Sequence, residues 1–560
     1  MLLAGPASAD GPVPPPHRNV VERVTPDVEA PELTLPERTA QRNGYAAGDA
    51  EAVPLKSRFD VTGDGYTDLL YRAINGQVYL SPYGSAEDTQ FGLYDTPGEM
   101  FKDIVPIGDL NADGHPEILA LTAHGVLSTH QAFDATGAGA PVWRGKGWQA
   151  YNKLTVPGDV NGDGRMDLLA RTPGGELYLY TTNGSLVEPF APRVKVGAGW
   201  GAYDQLVGAN DADGDGVGDL FARTPSGELY FYAGTGNAAA PFAARVKVGS
   251  GWQIYNQLLS VDDINGDGMA DLLARAHNGT LYFYSSTGGG LLAARSEAGT
   301  GWHVVSLFAT SGGNPEVGKG EVFGLDTQGT LFYYWAMNNG LLSPRDQASE
   351  VGDWKGAKIT FASSLDIDGR GDLLEVFEGT LYNYQVAGSD GGPFAISSGW
   401  GQYNTLLAPG DLSGDGKGDL LARNSSGQLY LYRGNGEGTA FSTRVSVGSG
   451  WGAYNRIVGA GDITGDGRAD IVARDAGGNL YLYAGTGSVT APFKGRVKIG
   501  PGWNAYNKLQ APGDITGDGR ADLLATDSTG NLWRYSANGT GGFSARVKIG
   551  PGWNTYTSLH

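Results

Sequence analysis

Short apolar runs separated by turn residues occupy most of this chain, and no long helical period interrupts them. The run LLAR at 168–171, for example, is followed by a glycine turn and by the run LYLY at 177–180. Runs of about four to eight such residues bounded by glycine are typical of β-strands. Because both runs are apolar at consecutive positions, we predict that both faces of these two strands are buried.

The same four-strand unit recurs about every 50 residues. Each unit holds a Gly-Trp-x-x-Tyr segment, an Asp-rich loop, the two apolar runs and a closing strand such as RVKVG at 193–197. A repeat of this length with four strands is typical of a β-propeller blade, whereas the coils of the rival parallel β-helix are shorter. We therefore predict an all-β fold, a β-propeller with four-stranded blades. The Asp-rich loops begin at residues 60, 109, 159, 211, 263, 364, 411, 462 and 514.

The number and grouping of the blades follow from irregularities in the repeat. The double step from 263 to 364 indicates a tenth unit that has lost its loop. Units 1 and 2 diverge while units 3–5 are nearly identical, and the same order recurs in units 6–10. Unit 1 lacks a Gly-Trp segment, whereas extra ones at 301–307 and 552–559 could each complete a first blade. We predict two five-bladed rings, at 55–310 and 311–560; one larger ring or a seven-plus-three division is the alternative.

The first 54 residues differ from the repeats. Residues 1–9 end in an Ala-x-Ala pattern, which we interpret as the remnant of a secretory signal peptide. Residues 10–54 are rich in proline, which predicts an extended or disordered linker. The sequence therefore predicts a secreted, extracellular protein.

Composition restricts the classes of function. A net charge of −20 argues against a nucleic-acid partner, and the absence of cysteine excludes disulfides and thiolate metal sites. No run approaches the roughly 18 apolar residues of a membrane span. The sequence contains neither His-Glu-x-x-His nor a Gly-x-Ser-x-Gly elbow. We expect a monomer without catalytic activity; a hydrolase with its site in divergent units 1, 2, 6 or 7 is an alternative.

The Asp-rich loops share one pattern of oxygen atoms. Positions 1, 5 and 9 are carboxylates in all eight intact loops, position 3 carries a side-chain oxygen, and position 6 is glycine. The residue at position 7 varies, which indicates that its backbone carbonyl is the ligand. Oxygen-only ligands on a flexible loop favour Ca²⁺ over Mg²⁺. The candidate ligands are Asp60, Thr62, Asp64, Tyr66, Asp68, Asp109, Asn111, Asp113, His115, Glu117, Asp159, Asn161, Asp163, Arg165, Asp167, Asp211, Asp213, Asp215, Val217, Asp219, Asp263, Asn265, Asp267, Met269, Asp271, Asp411, Ser413, Asp415, Lys417, Asp419, Asp462, Thr464, Asp466, Arg468, Asp470, Asp514, Thr516, Asp518, Arg520 and Asp522.

We predict about one Ca²⁺ for each intact loop. Eight divalent ions would add +16 to the formal −20 and leave −4. Without them the carboxylates of a loop would repel one another, so the metal is expected to stabilise the fold. The loop at 364–372 begins with Ser364 and should bind weakly or not at all. The alternative is that these are acidic turns, since Asp, Asn and Gly favour turns without metal; EF-hands need flanking helices and Glu at position 12.

Together with the Leu-Tyr-x-Tyr strands, the loops resemble FG-GAP or VCBS repeats. These are the calcium-binding blades of integrin α-subunit propellers and of many secreted bacterial proteins, and the resemblance covers about 55–560. It implies a propeller with Ca²⁺ in the first inter-strand loop of each blade. It also implies an adhesive or ligand-binding role, so we predict a non-catalytic module whose partner is an extracellular protein or a glycan.

One tryptophan recurs at an equivalent position of each unit. We expect it to fill the core between blades; the alternative is a ring of sugar-stacking platforms, as in a multivalent propeller lectin. The Arg-x-Lys pairs of the closing strands, such as Arg193 and Lys195, are expected to be charged outer edges that discourage pairing. The tryptophans are Trp148, Trp200, Trp252, Trp302, Trp354, Trp400, Trp451, Trp503 and Trp553.

Overall fold

The computed structural model describes residues 18, 28–36, 55–85, 87–93, 96, 98–313, 315, 318–385 and 392–560. Within these ranges the regular structure is β-strand, with eight three-residue 3₁₀ turns and no α-helix, which confirms the all-β prediction. The described part holds no helix long and apolar enough to cross a membrane. The predicted signal remnant at 1–9 and most of the linker at 10–54 lie outside the described residues.

The first half of the chain forms blades 1–5. Its antiparallel sheets have the strand orders β21-β1-β2-β3, β4-β5-β6-β7 with β8 on β6, β9 to β12, β13 to β16, and β17 to β20. The strands are β1 Leu69–Ala73, β2 Val78–Ser81, β3 Thr89–Gln90, β4 Phe101–Gly108, β5 Glu117–Thr122, β6 Val126–Asp134, β7 Gly137–Ala138, β8 Trp143–Lys146, β9 Lys153–Gly158, β10 Asp167–Arg171, β11 Leu177–Tyr180, β12 Val194–Gly197, β13 Gln205–Asn210, β14 Asp219–Arg223, β15 Leu229–Tyr232, β16 Val246–Gly249, β17 Tyr255–Ser260, β18 Leu272–Ala276, β19 Leu281–Tyr284, β20 Ser296–Gly299 and β21 Val305–Phe308.

The second half forms blades 6–10 in the same way. Blade 6 has the order β41-β22-β23-β24, and blades 7 to 10 take four consecutive strands each from β25 onward. The strands are β22 Glu321–Asp326, β23 Leu331–Trp335, β24 Asp346–Gln347, β25 Ile359–Ala362, β26 Asp372–Phe377, β27 Thr380–Asn383, β28 Phe394–Ser398, β29 Tyr403–Gly410, β30 Asp419–Asn424, β31 Leu429–Arg433, β32 Val445–Gly448, β33 Tyr454–Gly461, β34 Asp470–Asp475, β35 Leu480–Tyr483, β36 Val497–Gly500, β37 Tyr506–Gly513, β38 Asp522–Asp527, β39 Leu532–Tyr535, β40 Val547–Gly550 and β41 Tyr556–Leu559. The 3₁₀ turns are Trp148–Ala150, Trp200–Ala202, Trp252–Ile254, Trp302–Val304, Trp400–Gln402, Trp451–Ala453, Trp503–Ala505 and Trp553–Thr555.

Two late strands complete two early blades. Strand β21 pairs antiparallel with β1, with Leu307 opposite Arg72, and β41 pairs with β22, with Ser558 opposite Leu325. The innermost strand of blades 1 and 6 therefore comes from the last segment of each set of five. This pairing occupies a strand edge that would otherwise be open.

A hydrophobic core lies between neighbouring blades. Val105 of blade 2 and Leu154 of blade 3 share one such core. A further core joins Leu273 of blade 5 to Tyr71 of blade 1, and another includes Val322 of blade 6 together with residues of blade 10. Blades 1–5 and blades 6–10 thus pack as two sets of five, named below the first and the second ring.

The middle strands carry most of the core. Residues 168–170 of β10 are each fully buried, as the uninterrupted apolar run predicted. The same prediction is wrong for the neighbouring strand β11, where Leu177 and Leu179 are buried but Tyr178 and Tyr180 are half-buried. This strand lies toward the rim of the ring, where the Tyr180 ring packs 4.9 Å from that of Trp148.

The rings contact each other through the Asp loops of the second ring. Asn152, directly before β9, donates its side-chain amide to the carbonyl of Asp466 at 2.8 Å. Asp204, directly before β13, lies 3.1 Å from the guanidinium of Arg520. The loop face of the second ring therefore lies against the face of the first ring opposite to that ring's own loops.

A short segment of the predicted linker packs on blade 5. Residues 28–36 run along β20, where the N–H groups of Glu32 and Thr34 donate to the carbonyls of Thr300 at 3.0 Å and Ala298 at 2.7 Å. The indole N–H of Trp302 donates to the carbonyl of Glu32 at 2.8 Å. This part of the chain therefore packs on blade 5 and covers one of the repeated tryptophans.

Candidate metal centres

Each Asp loop leads directly into the second strand of its blade, and its first carboxylate organises the turn. Asp159 accepts from the N–H of Gly162 at 2.7 Å and from that of Gly164 at 2.6 Å. The second of these bonds, from position 6, measures 2.6–2.8 Å in all eight intact loops. The position 6 glycines have φ between +82° and +92°, a left-handed conformation that strains any other residue.

The other two carboxylates are held with the same regularity. The position 5 carboxylate accepts from the N–H of position 7 at 2.9–3.1 Å in all eight loops. The position 9 carboxylate accepts from the N–H of position 2 at 2.6–3.3 Å. A carboxylate offers about four acceptor sites, so these bonds fix the three groups and leave capacity for a further ligand.

Some of that capacity is buried and unused. Among the described residues, Oε1 of Glu117 and Oδ1 of Asp213 and Asp522 are buried without a hydrogen-bond partner. Leaving a carboxylate oxygen unpaired and out of water is costly, and a bound cation would remove this cost. The donor set therefore fits a hard divalent ion.

Two loops bring their carboxylates especially close together. In the described part of the chain, ligand oxygens approach within 4.8 Å of one another in the sets Asp109, Asp113 and Glu117, and Asp211, Asp213 and Asp215. The second set uses position 3 in place of position 9. Both arrangements are compatible with Ca²⁺, which is bound at about 2.3–2.6 Å by oxygens of one loop.

The position 9 carboxyls lie in a strongly unfavourable environment for negative charge. Burial, reinforced by the other carboxylates of the loop, raises the pKa of Asp167 to about 7 and the pKa of Asp219 and Asp271 to about 8. The same causes raise the pKa of Asp470 and Asp522 well above the usual range. A divalent cation bound at the loop would supply the missing positive charge.

In two loops the side chain at position 7 interacts with the loop itself, although the variability of this position suggested that only its backbone matters. The guanidinium of Arg165 lies 2.8 Å from the Asp163 carboxylate, and that of Arg520 lies 2.9 Å from the Asp518 carboxylate. These two loops carry a partial internal counter-charge. The role of the position 7 carbonyl as a ligand remains a prediction.

The incomplete loop keeps part of the turn. The Asp372 carboxylate accepts from the N–H of Leu365 at 2.6 Å, and Asp368 accepts from the N–H of Arg370 at 2.8 Å. Ser364, however, contributes a hydroxyl that donates to the Asp366 carbonyl at 3.0 Å. The loop therefore lacks the carboxylate that organises the eight intact ones.

The repeated tryptophans form an aromatic belt between the blades. All nine expose 8% or less of their surface, which is the arrangement expected of core residues and not of sugar-stacking platforms. The Trp200 ring, for example, lies 4.8 Å from that of Tyr232. The arginine of each regular closing strand packs over an aromatic ring beside this belt. For example, the Arg245 guanidinium lies 4.2 Å from the centre of the Tyr230 ring.

A buried arginine at the end of the second strand was missed by the sequence reasoning. Arg223 donates to the carbonyl of Tyr255 in the next blade at 2.5 Å and pairs with Asp204 at 2.7 Å. Arg171 and Arg275 contact the following blade in the same manner, through the carbonyls of Tyr203 and Val305. The signal was the arginine that ends the LLAR, LFAR and LLAR runs, because a strand buried on both faces is expected to carry only apolar residues.

Comparison with known families places four segments of the chain in the FG-GAP-like repeat family, at residues 159–222, 211–274, 411–473 and 462–525. Each segment begins at the first residue of an Asp loop. No functionally curated protein matches the chain.

The chain is also similar to several solved structures. One is an Agrocybe aegerita lectin described as recognising non-reducing terminal N-acetylglucosamine, with 15% identity, 80% of this chain and 94% of that chain covered, and a TM-score of 0.26. Another is the BP39L lectin from Burkholderia pseudomallei, with 15% identity and a TM-score of 0.23; the match covers 80% of this chain and 99% of the lectin. A third is the Photorhabdus luminescens Tc holotoxin pore, with 12% identity and a TM-score of 0.27; the match covers 87% of this chain and 27% of that chain.

Proposed function

Because the chain carries FG-GAP-like repeats, we propose that it is a calcium-loaded β-propeller that acts as a secreted, non-catalytic binding module. The observation that carries the calcium proposal is the shared geometry of the eight intact loops. Three carboxylates are fixed at equivalent places in each loop, and in three loops a buried carboxylate oxygen has no partner among the described residues. Extracellular calcium is abundant enough to fill sites of modest affinity.

In each intact loop, the carboxylates at positions 1, 5 and 9 and the side-chain oxygen at position 3 would hold one Ca²⁺. Bound calcium supplies positive charge and cross-links the oxygens of one loop. The protein residues do the rest: position 6 glycine forms the turn, and the position 9 carboxylate ties the loop to the blade. In blade 3, this residue is Asp167, which accepts from the N–H of Thr182 beyond β11 at 3.1 Å.

The binding role is supported by architecture and by sequence. Both rings present repeated outer strands to solvent, and the sequence has no catalytic motif. The partner we propose is an extracellular protein or a glycan. Assays against polysaccharides and esters test the non-catalytic part, and hydrolysis that disappears when the protein is removed would contradict it.

Calcium stoichiometry tests the metal proposal. After equilibrium dialysis, atomic absorption should show about eight Ca²⁺ per chain, and Asp159→Asn should lower the number by about one. Glu176→Gln is the matched control, because Glu176 is exposed and pairs with Lys195 outside the loops. A wild-type value near zero, or equal losses in the two variants, would contradict the assignment.

A further inference from the structure

The second ring has an open funnel at its centre, on the face away from the first ring. The cavity has a volume of about 600 Å³ and is lined by the first residues of β25, β29, β33, β37 and β41. Pockets that hold small molecules have volumes of about 300–1,000 Å³. The funnel is thus of a size to admit a ligand.

The mouth of the funnel is basic, although the whole chain is acidic. Lys358 and Arg456 are exposed there and Lys508 is half-buried. The described lining includes no Asp or Glu, whereas it contains four cationic side chains, those of Lys319, Lys358, Arg456 and Lys508. Arg456 and Lys508 donate to main-chain carbonyls, those of Asn507 at 3.2 Å and Trp553 at 3.5 Å.

The positive charges of the funnel disfavour protonation of neighbouring basic groups. Burial together with the charge of Arg456 lowers the pKa of Lys508. Burial, with the charges of Lys319 and Arg456, lowers the pKa of His560 to about 4. Exposed charges farther away than about 8 Å are largely screened at physiological salt, so this local field outweighs the distributed net charge of −20.

The equivalent positions of the first ring are arranged quite differently. Five residues after the repeated tryptophan, the second ring carries Thr405, Arg456 and Lys508. The first ring carries Lys153, Gln205 and Gln257 at this position, and all three are buried. Lys153 donates to the carbonyl of Ser311, in the segment 309–313 that crosses this end of the first ring. The first ring is closed by its own chain and by the second ring, whereas the second ring is left open and positively charged.

A second observation lies deeper in the funnel. Gln510 is 95% buried, and both polar atoms of its amide lack a hydrogen-bond partner among the described residues. Neighbouring repeats carry Leu407 and Val458 at this position, so a polar side chain is not needed for the fold. An unpaired buried amide is costly, and a ligand with hydroxyl groups could pair with it.

We propose that this funnel binds an anionic saccharide, with a carboxylate or sulfate group at the cations of the mouth and hydroxyl groups at the Gln510 amide. The hydroxyls of Thr360 and Thr405 line the same wall. A nucleotide fits less well, because the aromatic rings of the lining, Phe361 and Tyr403, are buried and offer no stacking face. The inference rests on the proposed binding role and names its site and ligand class, but it does not depend on the calcium loops.

The test is calorimetric titration of the intact chain, in low salt with calcium, with a chondroitin 4-sulfate disaccharide. Neutral N-acetyllactosamine and inorganic sulfate are the comparison ligands. The disaccharide should bind, and the triple variant K358Q/R456Q/K508Q should weaken binding by at least about tenfold, since it removes the charged hydrogen bonds to the anionic group. Gln510→Leu should weaken the disaccharide severalfold and leave any binding of inorganic sulfate unchanged.

The variant K195Q/K498Q/K548Q is the matched control, because it removes the same charge from exposed closing strands. It should bind the disaccharide as the wild type does, and thermal melts should show that both triple variants are folded. Absence of disaccharide binding, equal binding of the neutral sugar, or equal affinity of the two triple variants would overturn the proposal. Inorganic sulfate binding as tightly as the disaccharide, with no effect of Gln510→Leu, would reduce the site to a simple anion site and overturn the saccharide assignment. A failed calcium proposal would appear in the stoichiometry, independently of these titrations.

Discussion

Gln510 shows how one residue can depart from its repeat. Both amide atoms are buried without a protein partner in the described part of the chain, at a position where leucine and valine occur in the repeats before it. We expect Gln510→Leu to raise the free energy of unfolding by about 1 kcal/mol, because it removes a buried unpaired amide. Urea unfolding of the second ring would measure the change.

Gln257→Leu is the matched control for that substitution. The Gln257 N–H donates to the carbonyl of Gly517 at 3.0 Å, although its Oε1 has no partner among the described residues. The same exchange therefore removes a hydrogen bond that Gln510 does not make, and it should be destabilising. Opposite signs for the two variants are the expected result. A lower stability of Gln510→Leu would show that its amide is satisfied in the ligand-free protein.

Spacing within a repeat indicated which side chains share one turn, since positions 1, 5 and 9 depend only on local geometry. Their role as metal ligands stays a prediction. It could not predict the partner of Arg520, whose guanidinium reaches Asp204 across 316 residues of chain. Nor could it single out Gln510, because one polar residue in an apolar run is common. Residue roles that depend on contacts between distant repeats required the structure.

At the scale of elements, the strands followed from periodicity because each unit repeats the same apolar runs and turns. The late strands β21 and β41 were also predictable, since the chain has extra Gly-Trp segments at 301 and 552. The packing of residues 28–36 on β20 was not, because main-chain hydrogen bonds leave little trace in side-chain patterns. The partial exposure of the β11 tyrosines was not predicted either, because an apolar run does not show how far a strand lies from the ring axis.

The contact of residues 28–36 with blade 5 can be tested at one glycine. A Cβ atom at Gly299 would lie 1.8 Å from the carbonyl oxygen of Glu32, so Gly299→Ala should displace the segment. Hydrogen exchange at residues 28–36 should then rise sharply. Gly448→Ala is the control, because Gly448 has a similar φ of +137° but nothing within 4 Å of its Cβ position. Equal protection of the segment in both variants would argue against the described packing.

At the scale of the whole molecule, a buried charge cluster joins the two rings. Asp204 pairs with Arg223 of its own ring at 2.7 Å and with Arg520 of the other at 3.1 Å. Asp204→Asn should leave the buried Arg223 guanidinium without its counter-charge and remove one of the two carboxylates at Arg520, whose other partner is Asp518. We expect a cost of about 3–5 kcal/mol, measured by calorimetry. The exposed pair of Lys195 and Glu176 provides the control, and Glu176→Gln should cost far less, because exposed ion pairs contribute little to stability. Similar costs for the two variants would refute the importance of the junction.

The loops of the second ring lie at this junction, so calcium there should stabilise the contact between rings as well as each blade. Thr516 and Asp518 expose only 3% and 8% of their surface. The stacking could not be foreseen, because the repeat pattern is the same in both rings. It separates loops that face solvent from loops that face the other ring.

Differential scanning calorimetry of the intact chain would show whether calcium in the Asp loops stabilises the molecule. Each site at a hundred times its dissociation constant would contribute about 2.7 kcal/mol, and several sites act together. We predict that EGTA lowers the Tm by at least about 10 °C and that added Ca²⁺ restores it, whereas Mg²⁺ does so poorly. The same Tm with Ca²⁺ and with EGTA would show that calcium does not stabilise the fold.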